Sequence, residues 1–158
     1  MISITTKLSI LIIEDDAPKL KAIINFLSED LSFFEPVVAK SLTSAIQKLS
    51  NEEFDLCIVD MSIPSYDFEA DKTGGEPQSG GGRDILRFIS SEAPRTKAVV
   101  LTQYNEFRTT HGVDVTLDAL TVSLMKKFNK ILLAVVFYST QKGEWRKILK
   151  SVIEESRL

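Results

Sequence analysis

One cysteine, Cys57, is all the thiol chemistry this chain has, so an intramolecular disulfide and a cysteine-rich zinc site are both excluded. Its place inside an apolar run reads as inert packing. One histidine, His111, likewise excludes a metal site built from several imidazoles of one chain, and its polar surroundings assign it to the surface. No apolar run reaches the roughly 18–20 residues of a membrane span. Residues 1–13 lack the basic start and cleavage-type ending of a leader, so the expectation is a cytoplasmic protein with no membrane partner. Excess charge is also scarce: 19 lysines and arginines face 22 acids, a net charge of −3 that gives no general attraction to nucleic acid. Glycine is rare outside one segment, since Tyr66–Gly82 holds five of the seven (Gly74, Gly75, Gly80, Gly81, Gly82). That segment is too polar to bury and reads as a flexible loop. It is not a phosphate-binding loop, because no Gly-Lys-Ser/Thr follows the glycines.

What remains is ordinary globular material, 44% hydrophobic and 26% charged over 158 residues, which fits a single domain spanning 1–158. Ser9–Ile13 is an unbroken apolar run that stops at Glu14-Asp15-Asp16, the pattern of a strand buried on both faces. Pro18 then suits a first helical turn, and Leu20, Ile24, Leu27 and Leu31 share one helical face. The rhythm repeats. Pro36–Ala39, Phe54–Val59, Lys97–Leu101 and Ile131–Tyr138 read as strands. Helical stripes follow at Leu42–Leu49, Ile85–Ile89, from a Thr116 cap to Phe128, and at Trp145–Ile153. Five strands alternating with five helices predict an α/β fold, a doubly wound five-stranded parallel sheet with helices on both faces. The departures are the 66–82 loop after the third strand and an extended segment over 103–130.

In such a sheet the residues just past the strands' carboxyl ends line one crevice. Here they are Glu14, Asp15 and Asp16, then Asp60, then Thr102, with Lys142 beyond the last strand. Acids gathered so closely push one of their number toward protonation unless a cation neutralises them. Oxygen ligands suit Mg²⁺. A carboxylate, a divalent cation, a hydroxyl and an ammonium converging on one point make a phosphoryl-transfer site. Asp16 is better placed to cap the first helix than to bind metal.

At Leu11–Asp16, Asp55–Pro64 and Ala98–Thr102 the chain resembles the response-regulator receiver domains, the CheY-like family with its flavodoxin-like sheet. The acid pair, the Asp60-to-Pro64 spacing and the threonine ending the fourth strand match in family order. The resemblance implies that Asp60 is the phosphoacceptor. It makes Asp15 the direct Mg²⁺ ligand, with Asp60 beside it, the backbone carbonyl of Ser62 a further ligand, and Glu14 bound through water. It makes Thr102 and Tyr138 the switch pair and lets Ser62 and Tyr104 tune hydrolysis. The lysine position stays open. Counting back from the last helix gives Lys142, counting from Tyr138 gives Gln141, and Lys126-Lys127-Phe128 is a third alternative.

The function so implied is a stand-alone receiver of two-component signal transduction. It would take its phosphoryl group from a histidine kinase or phosphotransfer protein, as a signalling protein and not a metabolic enzyme. Its output would pass through the face of the fourth helix, last strand and last helix to another protein, or to a second copy in a homodimer. Two other classes compete. A degenerate receiver would act as a phosphorylation-independent interaction module. A haloacid-dehalogenase-like phosphatase would need a second acid two residues after its nucleophile, where this chain has Ser62.

Overall fold

A computed structural model describes residues 8–65, 81–103, 106–108, 114–140 and 143–156. Five parallel strands form one sheet: β1 (Ile10–Ile13), β2 (Val37–Ala39), β3 (Leu56–Val59), β4 (Lys97–Thr102) and β7 (Leu132–Phe137), in the order β2-β1-β3-β4-β7. Two short strands between β4 and β7, β5 (Glu106–Arg108) and β6 (Asp114–Thr116), pair antiparallel as a separate ribbon. Five helices connect these elements: α1 (Ala17–Leu31), α2 (Leu42–Asn51), α3 (Gly81–Glu92), α4 (Leu117–Lys127) and α5 (Glu144–Glu155).

The strands alternate their side chains between two cores, as the period of two requires. Leu11, Ile13, Cys57, Val59, Ala98 and Val100 pack against α2, α3 and α4 through Ala45, Leu49, Ile85, Leu86, Ile89, Leu120 and Leu124. Ile10, Ile12, Leu56, Ile58, Val99 and Leu101 pack on the other side against α1 and α5 through Ile23, Phe26, Leu27, Trp145, Leu149 and Ile153. This double burial is why β1 and β3 are apolar at every position. Asp16 caps α1 by accepting from the Lys19 N–H, Pro18 lies in the first turn, and Thr116 caps α4, all as the sequence predicts.

Three features differ from the sequence reading. The long segment over 103–130, in which the sequence showed only the helix after Thr116, also carries the ribbon β5–β6, because three-residue strands have no readable period. The buried stripe of α1 is Lys19, Ile23, Phe26 and Leu27, with Leu20 and Ile24 only half-buried, so the helix is rotated from the face the apolar spacing suggested. Gly81 and Gly82, assigned to the loop, form the first turn of α3. The rest of that loop, 66–80, lies outside the described residues.

The reason for Gly82 is steric. A Cβ there would sit 2.5 Å from the carbonyl oxygen of Asp60 and 2.6 Å from the Cα of Met61, while its N–H donates to the Met61 carbonyl at 3.0 Å. These are backbone atoms and cannot swing aside like a side chain. Gly82→Ala gains up to ~1 kcal/mol in helix propensity, but the forced displacement costs typically 1–3 kcal/mol and occasionally more. The expected net result is a lower urea midpoint with an unchanged slope; an unchanged or higher midpoint would show that α3 does not approach Asp60 this closely.

Candidate functional site

The sheet order reverses at β1, which leads to β2 on one side and, after α2, to β3 on the other. Ligands bind such sheets beyond the strand ends at this reversal. Ile13 pairs with Val59 in register, so Glu14 and Asp60 stand side by side one residue further on. Backbone bonds fix both: Asp60 N–H donates to the Ile13 carbonyl at 3.1 Å, and Glu14 N–H to the Ala39 carbonyl at 3.0 Å. One carboxylate oxygen from each of Glu14, Asp15 and Asp60 lies within 4.8 Å of the others. Glu14 and Asp60 are buried and Asp15 is exposed.

A fourth charged group completes the cluster, and the sequence reading did not anticipate it. Lys19, only 1% exposed, turns inward from the first turn of α1. Its Nζ lies 2.6 Å from Glu14 Oε1, 3.2 Å from Asp60 Oδ1, and donates to the Leu101 carbonyl at 2.7 Å. The Tyr138 ring stands 5.7 Å from Nζ, a cation–π distance. Trp145 follows at 5.2 Å from Tyr138, and Phe26 at 5.5 Å from Trp145. A signal for Lys19 existed, since it lies one and two turns before Ile23 and Leu27, but a charged residue is by default placed in solvent.

Burial dominates the electrostatics. It raises Glu14 to about 7, against the pull of Lys19 and with help from the Asp60 charge. Asp60 is also pushed up by burial, opposed by Lys19 and by the backbone N–H groups of Ser62 and Met61 that bond its carboxylate. Asp15 is raised mainly by partial burial, while its own backbone N–H holds it down. Glu14 is thus the residue pushed toward protonation, chiefly by its burial, and the crowding of acids that the sequence suggested adds only a smaller push through Asp60.

Glu14 Oε1 and Asp60 Oδ1 are buried and receive no hydrogen bond of regular geometry, only the ion-pair contact with Lys19. Such underserved carboxylate oxygens, with a third beside them, fit a hard divalent cation such as Mg²⁺.

The structure brings Glu14, Asp15, Asp60 and Thr102 to one strand edge, with half-buried Ser62 two residues past Asp60. Thr102 is buried and pairs in register with Phe137, so these two share the α4 side of the sheet with Val100. Tyr138 lies on the opposite side, in the α1–α5 core beside Lys19. Lys126 and Lys127 sit in the last turn of α4. That turn belongs to the edge where strands begin, because the Nζ of Lys97, which opens β4, bonds the Lys130 carbonyl. The third alternative for the lysine is thereby removed. Lys142, Gln141, Tyr104 and His111 lie outside the described residues.

No protein-family model matches the chain. It is 21% identical over 142 residues to the uncharacterised protein y4jR of Sinorhizobium fredii, covering 89% of this chain and 93% of that one. It is 23% identical over 150 residues to the Detocs response regulatory protein DtcB of Enterobacter cloacae, covering 94% and 99%. Among solved structures it superposes on the signal receiver domain of a LuxO repressor protein from Vibrio parahaemolyticus, with a TM-score of 0.63, 15% identity and coverage of 96% and 93%. A CheY-like receiver domain protein from Methanospirillum hungatei gives a TM-score of 0.58 at 19% identity, covering 96% and 98%. The strand order, the acids at the strand ends and these superpositions agree: the chain has the fold of the CheY-like response-regulator receiver domains.

Proposed function

We propose that the chain is a two-component receiver that accepts a phosphoryl group on Asp60 from a histidine kinase or phosphotransfer protein. The observation that carries this reading is the buried Asp60 carboxylate at the sheet's reversal point, with Glu14 and Asp15 oxygens within reach of one cation and Lys19 against it. A likeness to a protein named a response regulatory protein adds support. In the transfer an Asp60 oxygen attacks phosphorus, the phosphorus–nitrogen bond of the donor's phosphohistidine breaks with its electron pair staying on nitrogen, and the leaving imidazole takes up a proton from solvent. Later attack by water restores the carboxylate and releases phosphate.

Asp15, Asp60 and the Ser62 carbonyl would hold Mg²⁺, with Glu14 reaching it through water. The ion would offset the carboxylates and the charge on the phosphoryl oxygens. The chain's own contribution is position. The Ser62 and Met61 N–H groups orient the Asp60 carboxylate, and Thr102 offers its hydroxyl at the end of β4. The side chains of Ser62 and Tyr104 would tune how fast water hydrolyses the acyl phosphate. For output, exposed apolar groups stand on α4 (Val122), β7 (Phe137) and α5 (Ile148), the last two lining a hollow with Ser139, Glu144 and Trp145. This face suits a downstream protein or a second copy of the chain.

Incubation with Mg²⁺ and a small phosphodonor is expected to add one phosphoryl mass to the intact protein. The adduct should be absent from Asp60→Asn and in EDTA. If wild type gains no mass and beryllofluoride with Mg²⁺ leaves its NMR spectrum unchanged, the reading gives way to a phosphorylation-independent interaction module.

The raised Glu14 sets the pH behaviour. The unfolded chain loses this proton near 4.5 and the folded, metal-free chain near 7. Stability from the held proton is therefore complete below about 4.5 and lost as pH rises through about 7. Metal-free protein is expected to melt at a higher temperature at pH 5.5 than at pH 8 (both approximate settings), by an amount that Glu14→Gln reduces. Mg²⁺ must displace the same proton, so its affinity should climb with pH, by up to about tenfold per unit below 7 for one proton released. Calorimetric titration checks the slope; a flat profile would place the Glu14 carboxyl away from the metal.

A further inference from the structure

Enclosing an ammonium in a domain costs several kcal/mol unless its partners compensate, and replacing a buried ion pair by apolar groups is often neutral or stabilising. The Lys19 position has an apolar alternative at hand, since Ile23, Phe26 and Leu27 continue the same stripe into the α1–α5 core. Stability alone therefore accounts poorly for a lysine here. Geometry accounts for it better.

Two contacts hold Nζ closely, the Leu101 carbonyl at 2.7 Å and Glu14 Oε1 at 2.6 Å. The third, to Asp60 Oδ1, is longer at 3.2 Å; both carboxylate contacts are ion pairs without regular hydrogen-bond geometry, and this is the looser of the two. An ammonium has three donors, so one N–H remains loosely committed beside the oxygen of Asp60. Leu101 directly precedes Thr102, and anchoring on its carbonyl brings the cation to the same strand end as that hydroxyl.

On the reading that Asp60 accepts a phosphoryl group, we propose that Lys19, supplied by the first turn of α1, is the cation that receives the phosphoryl oxygens, so that the site needs no lysine from the segment after β7. At rest Lys19 bridges Glu14 and Asp60. As the new P–O bond forms at Asp60 and the donor's P–N bond breaks, negative charge moves onto the phosphoryl oxygens. Leu101 and Glu14 keep Nζ in place while the third N–H turns toward that charge. Lys19 also shares Glu14 and Asp60 with the metal set, and like charges repel. Removing it should therefore strengthen Mg²⁺ binding while slowing phosphorylation. A residue needed only for folding would weaken both.

The test compares full-length wild type, Lys19→Met and Lys142→Ala. Folding is checked by circular dichroism, Mg²⁺ affinity by Trp145 fluorescence, and phosphorylation rate by intact mass with a small phosphodonor. Lys19→Met is expected to phosphorylate at least about tenfold more slowly, the scale of one lost charged hydrogen bond. Its Mg²⁺ affinity should be equal to wild type or tighter, and Lys142→Ala should retain the wild-type rate. If Lys19→Met does not fold, Glu14→Gln is compared with Glu14→Gln/Lys19→Met, and the same difference in rate is expected. A wild-type rate in the Lys19 variant, the loss appearing in Lys142→Ala instead, or a parallel fall in Mg²⁺ affinity and rate would each overturn the proposal. Wild type that neither gains mass nor responds to beryllofluoride removes the acceptor reading itself, and this proposal with it.

Discussion

A buried ammonium between two buried carboxylates is the constraint on which this site depends. Without Lys19, Glu14 and Asp60 would face each other beneath the crevice with no positive charge among the described side chains beside them. With it, the cluster holds together before any metal arrives, at the expense of a glutamate held near neutral pH in its titration. The helix cap is part of the same device. Asp16 accepts from the Lys19 N–H, so the residue that starts α1 also sets the direction in which the lysine side chain enters the sheet.

The second constraint is backbone proximity. α3 begins so close to Asp60 that only a glycine can occupy position 82, and the segment beyond Asp60 is secured elsewhere too. The Pro64 and Ser65 carbonyls accept from the Leu42 and Thr43 N–H groups at the start of α2. Asp60 is thus held by its strand neighbour, by the turn that follows it and by a helix passing overhead. Preorganisation of this kind would leave the carboxylate little reorganisation to make were one of its oxygens to attack an incoming group.

Much of this was legible in the sequence. Glu14, Asp15, Asp60 and Thr102 each end an apolar run, and a parallel sheet gathers such ends at one edge. Asp16 and Thr116 declared themselves as caps. Lys19 stayed hidden because an all-apolar stripe, Leu20-Ile24-Leu27-Leu31, satisfied helical periodicity equally well. Its burial is decided by partners distant in sequence, Asp60 and Leu101. Gly81 and Gly82 read as loop residues because glycine is a poor helix former, and the close approach that requires it is tertiary. Which of Phe137 and Tyr138 faces Thr102 depends on strand register, and the run Val135–Tyr138 is apolar on both faces and conceals it.

The strand ends are not level. β2, β1 and β3 stop together at Ala39, Ile13 and Val59, whereas β4 continues past its last shared rung at Val100 through Leu101 and Thr102, and β7 keeps pace to Phe137. At ~3.3 Å per residue the sheet rises by roughly 7 Å between β3 and β4. Asp60 stands on the lower terrace against this riser, whose face carries the Leu101 carbonyl and whose rim is Thr102. A tetrahedral group attached to Asp60 would rest beside a wall about its own height on the β4 side, with Glu14 and Asp15 facing it from the end of β1. How far the Thr102 hydroxyl stands beyond Asp60 is thereby set by the unequal lengths of neighbouring strands.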